Sequence, residues 1–323
     1  MNNDTKKNHH HLVIPEEHAH ERLDQVLAKL LPEYSRTQIK DWIDAGTVWL
    51  NGKSVKGKLR VKGGETIVIE GVVKPQPQWQ AQKIPLSIVF EDDDLLIINK
   101  PVGLVVHPGT GNPDNTLLNA LLHHAPVLQE LPRAGILHRL DKDTSGLLLV
   151  AKTTHALKHL SHQLKKRTIG REYQAIVSGK LISGGTIDAP IDRHHLQRKR
   201  MAVVDTGKPS VTHYRVMEKY RAHTRLRVQL ETGRTHQIRV HMAYIRHPII
   251  GDAVYGARLQ QTKGMTPELI QTLRRFKRQA LHAFALSFEH PTTHGPMHFE
   301  IDLPDDMKQL IADLQEDVKR NKG

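Results

Sequence analysis

Asp141 is the carboxylate most open to a chemical role in this chain of 323 residues. It lies in the run Gly135-Ile-Leu-His-Arg-Leu-Asp-Lys-Asp-Thr-Ser-Gly146, the densest set of reactive side chains in the sequence, which runs straight into Leu147-Leu148-Leu149-Val150. A loop held against such an apolar strand is a common place for a working group. Arg139 and Lys142 flank Asp141. Nearby cations favour the ionised carboxylate, which makes the residue a candidate nucleophile or base. Asp143, Thr144 and Ser145 read instead as turn residues that bond their own backbone.

Other chemistries fail on residue order. His138-Arg139-Leu140-Asp141 departs from the His-Arg-Asp-Leu of a kinase loop, and neither a glycine-rich phosphate loop nor Asp-Phe-Gly occurs. Ser145 sits in Thr-Ser-Gly, not in a Gly-x-Ser-x-Gly elbow. There is no His-Glu-x-x-His, and the 23 histidines are mostly dispersed. The adjacent His9, His10 and His11 lack the spacing of a folded metal site. Phosphoryl transfer and metal hydrolysis therefore drop out. The absence of Cys removes thiol catalysis, thiolate zinc sites and a disulfide scaffold, and it fits a reducing cytosol.

The elements that must hold this loop fall into two blocks. Leu23, Val26, Leu27 and Leu30 make one apolar stripe of a short helix that Pro32 ends. Ser35-Arg36-Thr37-Gln38 has the form of a capping box, Ile39, Trp42 and Ile43 give a second helix its buried face, and Gly46 is placed to end it. A strand at 48–50 enters an Asn51-Gly52 turn, and 66–69 reads as the closing strand. The Pro/Gln stretch 73–80 separates this module from the rest. Beyond it, strands at 86–90 and 95–99 are followed by more strands with helices at 115–123, 155–167 and 305–318. That order predicts an α+β domain with a mixed, mainly antiparallel sheet flanked by helices. The segment 260–272 reads equally as an insertion or a short helix. The expected boundaries are a flexible tail at 1–19, the small module at 20–72, a linker at 73–84, the larger domain at 85–315 and a C-terminal tail at 316–323.

Charge points to the partner. With 47 Lys and Arg against 34 Asp and Glu, the chain carries +13 and a pI near 9.8, which suits a polyanion. Residues 22–62 hold nine basic side chains and four acidic ones, with Arg36 and Lys40 on one helix face and Lys53 after the turn. Lys165-Lys166-Arg167 and Gln197-Arg198-Lys199-Arg200 add basic clusters to the larger domain. Aromatics make up only 4%, too few for a broad stacking platform, so recognition of such a partner is expected to rest on its shape and its charge. The longest apolar runs fall far short of a membrane span. Met1-Asn2-Asn3-Asp4 opens no secretory signal, and a cytoplasmic protein is expected.

Four ordered motifs resemble a known family. His138 to Gly146 is similar to the signature of the RluA family of RNA pseudouridine synthases. Asn99-Lys100-Pro101-Val-Gly-Leu104 with Val106-His107-Pro108-Gly109, Arg171-Glu172-Tyr173-Gln-Ala175, and Glu231-Thr-Gly-Arg-Thr-His-Gln-Ile-Arg-Val-His241 running into His247-Pro-Ile-Ile-Gly-Asp252 and Tyr255-Gly256 agree with it. Residues 20–70 resemble the S4 RNA-binding domain. Pro132-Arg-Ala-Gly-Ile136, His213-Tyr-Arg215 and Arg278-Gln-Ala-Leu-His282 are closest to the branch acting on several uridines of helix 69 in 23S rRNA.

The resemblance implies that Asp141 attacks ribose C1′ or removes the C2′ proton. It also implies that Arg239 pairs with Asp141, that Tyr173 stacks on the target base, and that Arg139 enters the space left by a flipped uridine. His107 and Arg234 are expected in the same cleft, with Arg36, Lys40 and Lys53 on the RNA. On residue pattern alone Arg239 is an ordinary strand residue, and Glu231 and His236 read equally as structural. No cofactor is implied, and the partner is 23S rRNA or a precursor of the large subunit. A monomer is expected, since no heptads or leftover apolar helix appear. The competing readings are a synthase acting on tRNA and a non-catalytic RNA-binding assembly factor.

Overall fold

The structure is a computed structural model that describes residues 7–32, 34, 36–56, 59–72, 79–109, 111–197, 200–256 and 262–321. The chain divides into two compact units, Met1–Gln78 and Trp79–Gly323.

In the first unit, β1 (Lys7–Val13) precedes α1 (Leu23–Leu30) and α2 (Arg36–Asp44), followed by β2 (Val48–Leu50), β3 (Lys53–Ser54) and β4 (Thr66–Val72). The strands form one antiparallel sheet in the order β1-β4-β2-β3. Leu23, Val26 and Leu27 of α1 and Ile39, Trp42 and Ile43 of α2 are buried with Val48, Ile67 and Ile69 of the sheet. Asn51 and Gly52 both take positive φ, 48° and 76°, as a tight Asn-Gly hairpin turn requires. Ser35, the first residue of the expected capping box, lies outside the described residues.

The expected tail at 1–19 is corrected from residue 7 onward. β1 pairs along its length with β4, from Lys7↔Val72 to Val13↔Thr66. His10 and Leu12 are half-buried while His9, His11 and Val13 are exposed, and Ile14 is fully buried. Period-two alternation was present but carried by histidines, so it read as polar chain.

The second unit opens with β5 (Ile88–Glu91), β6 (Leu95–Lys100), α3 (Leu117–His124), β7 (Ser145–Ala151), α4 (Thr154–Lys166) and β8 (Gly170–Ser178). Next come β9 (Gly185–Asp188), β10 (Ile191–Arg193), β11 (Met201–Val203), β12 (Val211–Lys219), β13 (His223–Leu230) and α5 (Gln237–Tyr244). It closes with α6 (Pro267–Arg275), β14 (Leu281–Glu289), β15 (Pro296–Glu300) and α7 (Asp305–Arg320). Nine strands form one sheet in the order β5-β6-β7-β14-β8-β13-β12-β9, with β15 on β14. Every pairing in it is antiparallel except β7 with β14, where Ser145 and Gly146 face His282 and Ala283. β6 and β7 are apolar at nearly every position because both faces are covered. Leu96, Ile98, Leu148 and Val150 join the core shared with α3, α6 and α7, while Leu95, Ile97, Leu147 and Leu149 pack with Ala156 and Leu160 of α4.

Two expected boundaries shift. Of the linker at 73–84, residues 73–78 lie outside the described residues, but Trp79 packs on the larger core and meets the His107 ring edge-on at 5.5 Å. The expected tail at 316–323 is helical through Arg320. Asp317 there is buried and accepts from Thr266 N at 2.8 Å and from Arg221 Nη1 at 3.3 Å. Polar side chains from distant segments hold that last stretch, which hydrophobic spacing does not reveal. The segment 260–272 supplies the start of α6, capped by Thr266 Oγ1 accepting from Leu269 N.

Candidate active site

The loop before β7 is clamped through its backbone. Lys100, at the end of β6, is wholly buried, and its Nζ donates to the carbonyls of Pro101 (2.8 Å), Leu104 (3.0 Å) and Lys142 (3.0 Å). Burial pushes the Lys100 ammonium down to about 8, against the pull of Asp143 and Asp141. From the other side Gln279 Nε2 donates to Thr144 Oγ1 at 2.9 Å, and Ser145 Oγ lies 2.8 Å from His282 Nδ1. The side chains of Thr144 and Ser145 thus bond to Gln279, just before β14, and to His282, within it, rather than to their own turn. A Cβ on Gly146 (φ 119°) would stand 2.2 Å from the Ala283 carbonyl oxygen, so only glycine allows β7 to meet β14 here. His138, which begins the loop, accepts from Leu149 N at 3.2 Å. Burial and the Arg171 charge hold His138 down to about 3, so it stays a neutral acceptor.

Asp141 is thereby fixed at the wall of a cleft of about 1170 Å³, above the ~300–1,000 Å³ of most small-molecule sites. Arg239 Nη1 donates to Asp141 Oδ2 at 2.9 Å. Arg239 lies in the first turn of α5, not in a strand: Gly233 and the residues around it turn the chain out of β13 before the helix starts. Gln237 locks that turn with four bonds. Its amide donates to Val211 O and Thr212 Oγ1, and its oxygen accepts from Thr232 Oγ1 and Arg234 N.

The partner that the sequence reading left without a role is Asp252. Its side chain is fully buried and accepts from Arg239 Nε (2.7 Å) and Nη2 (2.9 Å), and from Val254 N and Tyr255 N. Burial works to raise the Asp252 carboxyl, but the bonds and charge of Arg239 more than reverse it, leaving it below the usual carboxylate range. Burial likewise works against the Arg239 charge, and Asp252 and Asp141 together raise it above its ordinary value. Two nitrogens of the fork are thus spent on Asp252, which leaves Nη1 aimed at Asp141. The signal was confined to the Gly251-Asp252 turn, with no spacing to tie it to Arg239.

Tyr173 on β8 is buried, lines the same cleft, and burial raises its hydroxyl above the usual range. It is at once a core tyrosine and a wall of the site. Arg171, two residues earlier on the same strand, is buried with its Nε unpartnered and also lines the cleft. Arg139 and Arg234 are exposed along the cleft, and His107 is half-buried in its wall with a buried, unpartnered Nε2. Of the basic clusters, Lys165 and Arg167 reach the cleft, while Arg198 and Lys199 lie outside the described residues. Glu231 joins Arg167 and His213, each at 2.7 Å, and so ties the rim together.

In the first unit Lys40 and Lys53 are exposed. Arg36 donates from Nε and Nη2 to Asp24 at 3.1 and 2.7 Å, so it also has a structural bond to keep.

Outside the cleft, the donor atoms of His159, Glu289 and His294 lie within 4.8 Å of one another. The Gln163 amide faces His159 Nδ1 at 3.1 Å and is itself held by both backbone groups of Glu289. That leaves the imidazole proton on Nε2, where a cation would have to displace it.

The sequence matches the family described as RNA pseudouridylate synthase over residues 94–244 and the S4 domain over residues 21–67. It is 52% identical to a protein named ribosomal large subunit pseudouridine synthase D from Escherichia coli K12, over 96% of this chain and 95% of that one. The protein of the same name from Vibrio parahaemolyticus is also 52% identical, over 93% and 92%. Among solved structures, the fold is similar to human RNA pseudouridylate synthase domain containing 4 (TM-score 0.56, 24% identity, 71% of this chain and 93% of that one). It is similar as well to human RNA pseudouridylate synthase domain containing 1 (TM-score 0.52, 26% identity, 75% and 98%).

Proposed function

The chain belongs to the family of RNA pseudouridylate synthases and carries an S4 domain, and from that premise we propose that it converts uridines of 23S rRNA to pseudouridine through Asp141. The observation that carries the reading is the 2.9 Å bond from Arg239 to Asp141 in a cleft that Tyr173 also lines.

The reaction breaks the bond from uracil N1 to ribose C1′, turns the base and rejoins it through C5. A proton leaves C5 and one is gained at N1, and no net oxidation or reduction occurs, so no redox cofactor is required. Asp141 acts as the anion, attacking C1′ or taking the C2′ proton. Either route needs the carboxylate held at a fixed place, and Arg239 holds it there through its 2.9 Å bond. The uridine is everted into the cleft, at a cost of about a few kcal/mol that protein contacts offset. Arg139, exposed at the cleft, is suited to stack where the base had been, and Tyr173 to pack on the base itself. His107 and Arg234 contact the flanking backbone, and Arg36, Lys40 and Lys53 hold a neighbouring part of the same RNA. The target is the helix 69 stem-loop. The protein acts as a monomer in the cytoplasm and needs no cofactor; no helix among the described residues is long and apolar enough to cross a membrane.

Asp141→Ala should abolish pseudouridine formation while leaving RNA affinity within a few-fold, and retained activity would remove the mechanism. Mapping pseudouridines in rRNA and tRNA of a deletion strain decides the substrate. Sites lost from 23S rRNA support the reading, and losses confined to tRNA refute it.

A further inference from the structure

Asp141 has two carboxylate oxygens, and Arg239 takes one. Oδ2 accepts from Arg239 Nη1, while Oδ1 faces His236 Nε2 at 3.8 Å. His236 immediately precedes α5 with φ 57° and ψ 20°, a left-handed conformation that costs a residue with a Cβ and that is often retained at working sites. Tyr255 braces it there. The phenol oxygen lies 2.9 Å from His236 Nδ1, and the two rings meet edge-on at 5.6 Å.

The bonding pattern suits one tautomer. Met201 N donates to the same phenol oxygen at 2.8 Å, and the Tyr255 O–H, 2.9 Å from Nδ1, finds its acceptor there. Nδ1 is then the acceptor and the ring proton sits on Nε2, turned toward Asp141. The Tyr255 ring also lies 5.1 Å from the Arg239 guanidinium carbon. One tyrosine therefore supports both groups that face the carboxylate.

We propose that His236, held by Tyr255 as its Nε2–H tautomer, is a positioning residue that steers the free oxygen of Asp141. Arg239 fixes one oxygen and the neutral N–H guides the other, so the carboxylate presents a single edge to the ribose. This rests on the pseudouridine synthase reading. Neutrality matters, because an imidazolium beside Asp141 would form a second ion pair and damp the reactive anion. Burial, opposed first by Asp141, lowers the His236 pKa, and Arg239, Asp252 and Arg139 are the other charges that face it. The Tyr255 hydroxyl adds to that neutrality, since a protonated Nδ1 could no longer accept from it.

The test is single-turnover pseudouridine formation in a helix 69 stem-loop RNA by the full chain, followed across pH 5 to 8. Asn tolerates left-handed backbone, so His236→Asn keeps the turn. It should lower the rate at neutral pH about tenfold or more through a misplaced carboxylate, with RNA affinity unchanged. Tyr255→Phe retains the ring under Arg239 but loses the donor to Nδ1. Its acid limb should therefore move up by about one pH unit, and the displacement should vanish in the double variant. A merely structural tyrosine would lower the rate equally at every pH. An unmoved limb in Tyr255→Phe, or a wild-type rate in His236→Asn, overturns the proposal. A wild-type protein that forms no pseudouridine in this RNA counts instead against the functional reading.

Discussion

Two charge clusters, one in each unit, treat their ions in opposite ways. In the first, Asp24 is buried but its partners Arg22 and Arg36 stand 41% and 51% exposed, and Lys29 meets Glu21 in the open. In the second, Arg239 and Asp252 are 6% and 0% exposed and Asp141 only 17%. Water and salt screen the first set, so it can attract a polyanion without fixing any one geometry. The second set is poorly screened, and each bond direction matters. A basic surface suits binding, whereas chemistry needs a few charges taken out of water.

Breaking the buried arrangement should have the largest effect. Asp252→Asn leaves the Arg239 guanidinium half-paired inside the fold, and stability should fall by about 3–5 kcal/mol in urea unfolding. Pseudouridine formation should drop with it while RNA affinity, measured under folding conditions, holds. An unchanged unfolding midpoint would mean that the triad carries no such energy.

Acid should come next. Burial holds His138 down to about 3 and His223 and His282 down to about 4 in the second unit. Between the ordinary value near 6.5 and those lowered values the unfolded chain binds protons that the folded one refuses. Stability from these groups is therefore complete above about pH 6.5 and is lost as pH falls toward 4. Hydrogen exchange followed along the chain should show β7, β13 and β14 losing protection over that window, and His138→Gln should flatten the loss. Protection that is constant from pH 7 to 4 would contradict it.

The smallest effect belongs to the exposed cations. Lys40→Ala or Lys53→Ala should weaken RNA binding a few-fold and reduce the salt slope by about one per residue, with the rate at saturating RNA unchanged. A fall in that rate would erase the division between binding and chemistry.

The sequence was most legible where one stretch carried its own signal. Asp141 stood out by its flanking cations, and the α1 stripe, the Asn51-Gly52 turn and the apolar β6 and β7 are all local patterns. Arg239 and Asp252 were harder, because what defines them is a contact made by turns in the chain rather than a spacing along it. β1 was hidden by histidines on a half-buried edge, and the last stretch of α7 by Asp317 bonding to residues 51 and 96 positions earlier. Thr144 and Ser145 resembled ordinary turn formers, since nothing nearby announces Gln279 or His282.

The single parallel contact of the sheet also sets when the protein can begin to work. β7 and β14 join residues 137 positions apart, with Ser145 beside His282. A nascent chain that has emerged only through α6 has exposed Asp141, Arg239 and Asp252 but lacks the strand between β7 and β8. Translation must therefore pass β14 before the cleft can form, and polypeptides cut short ahead of that strand should form no pseudouridine.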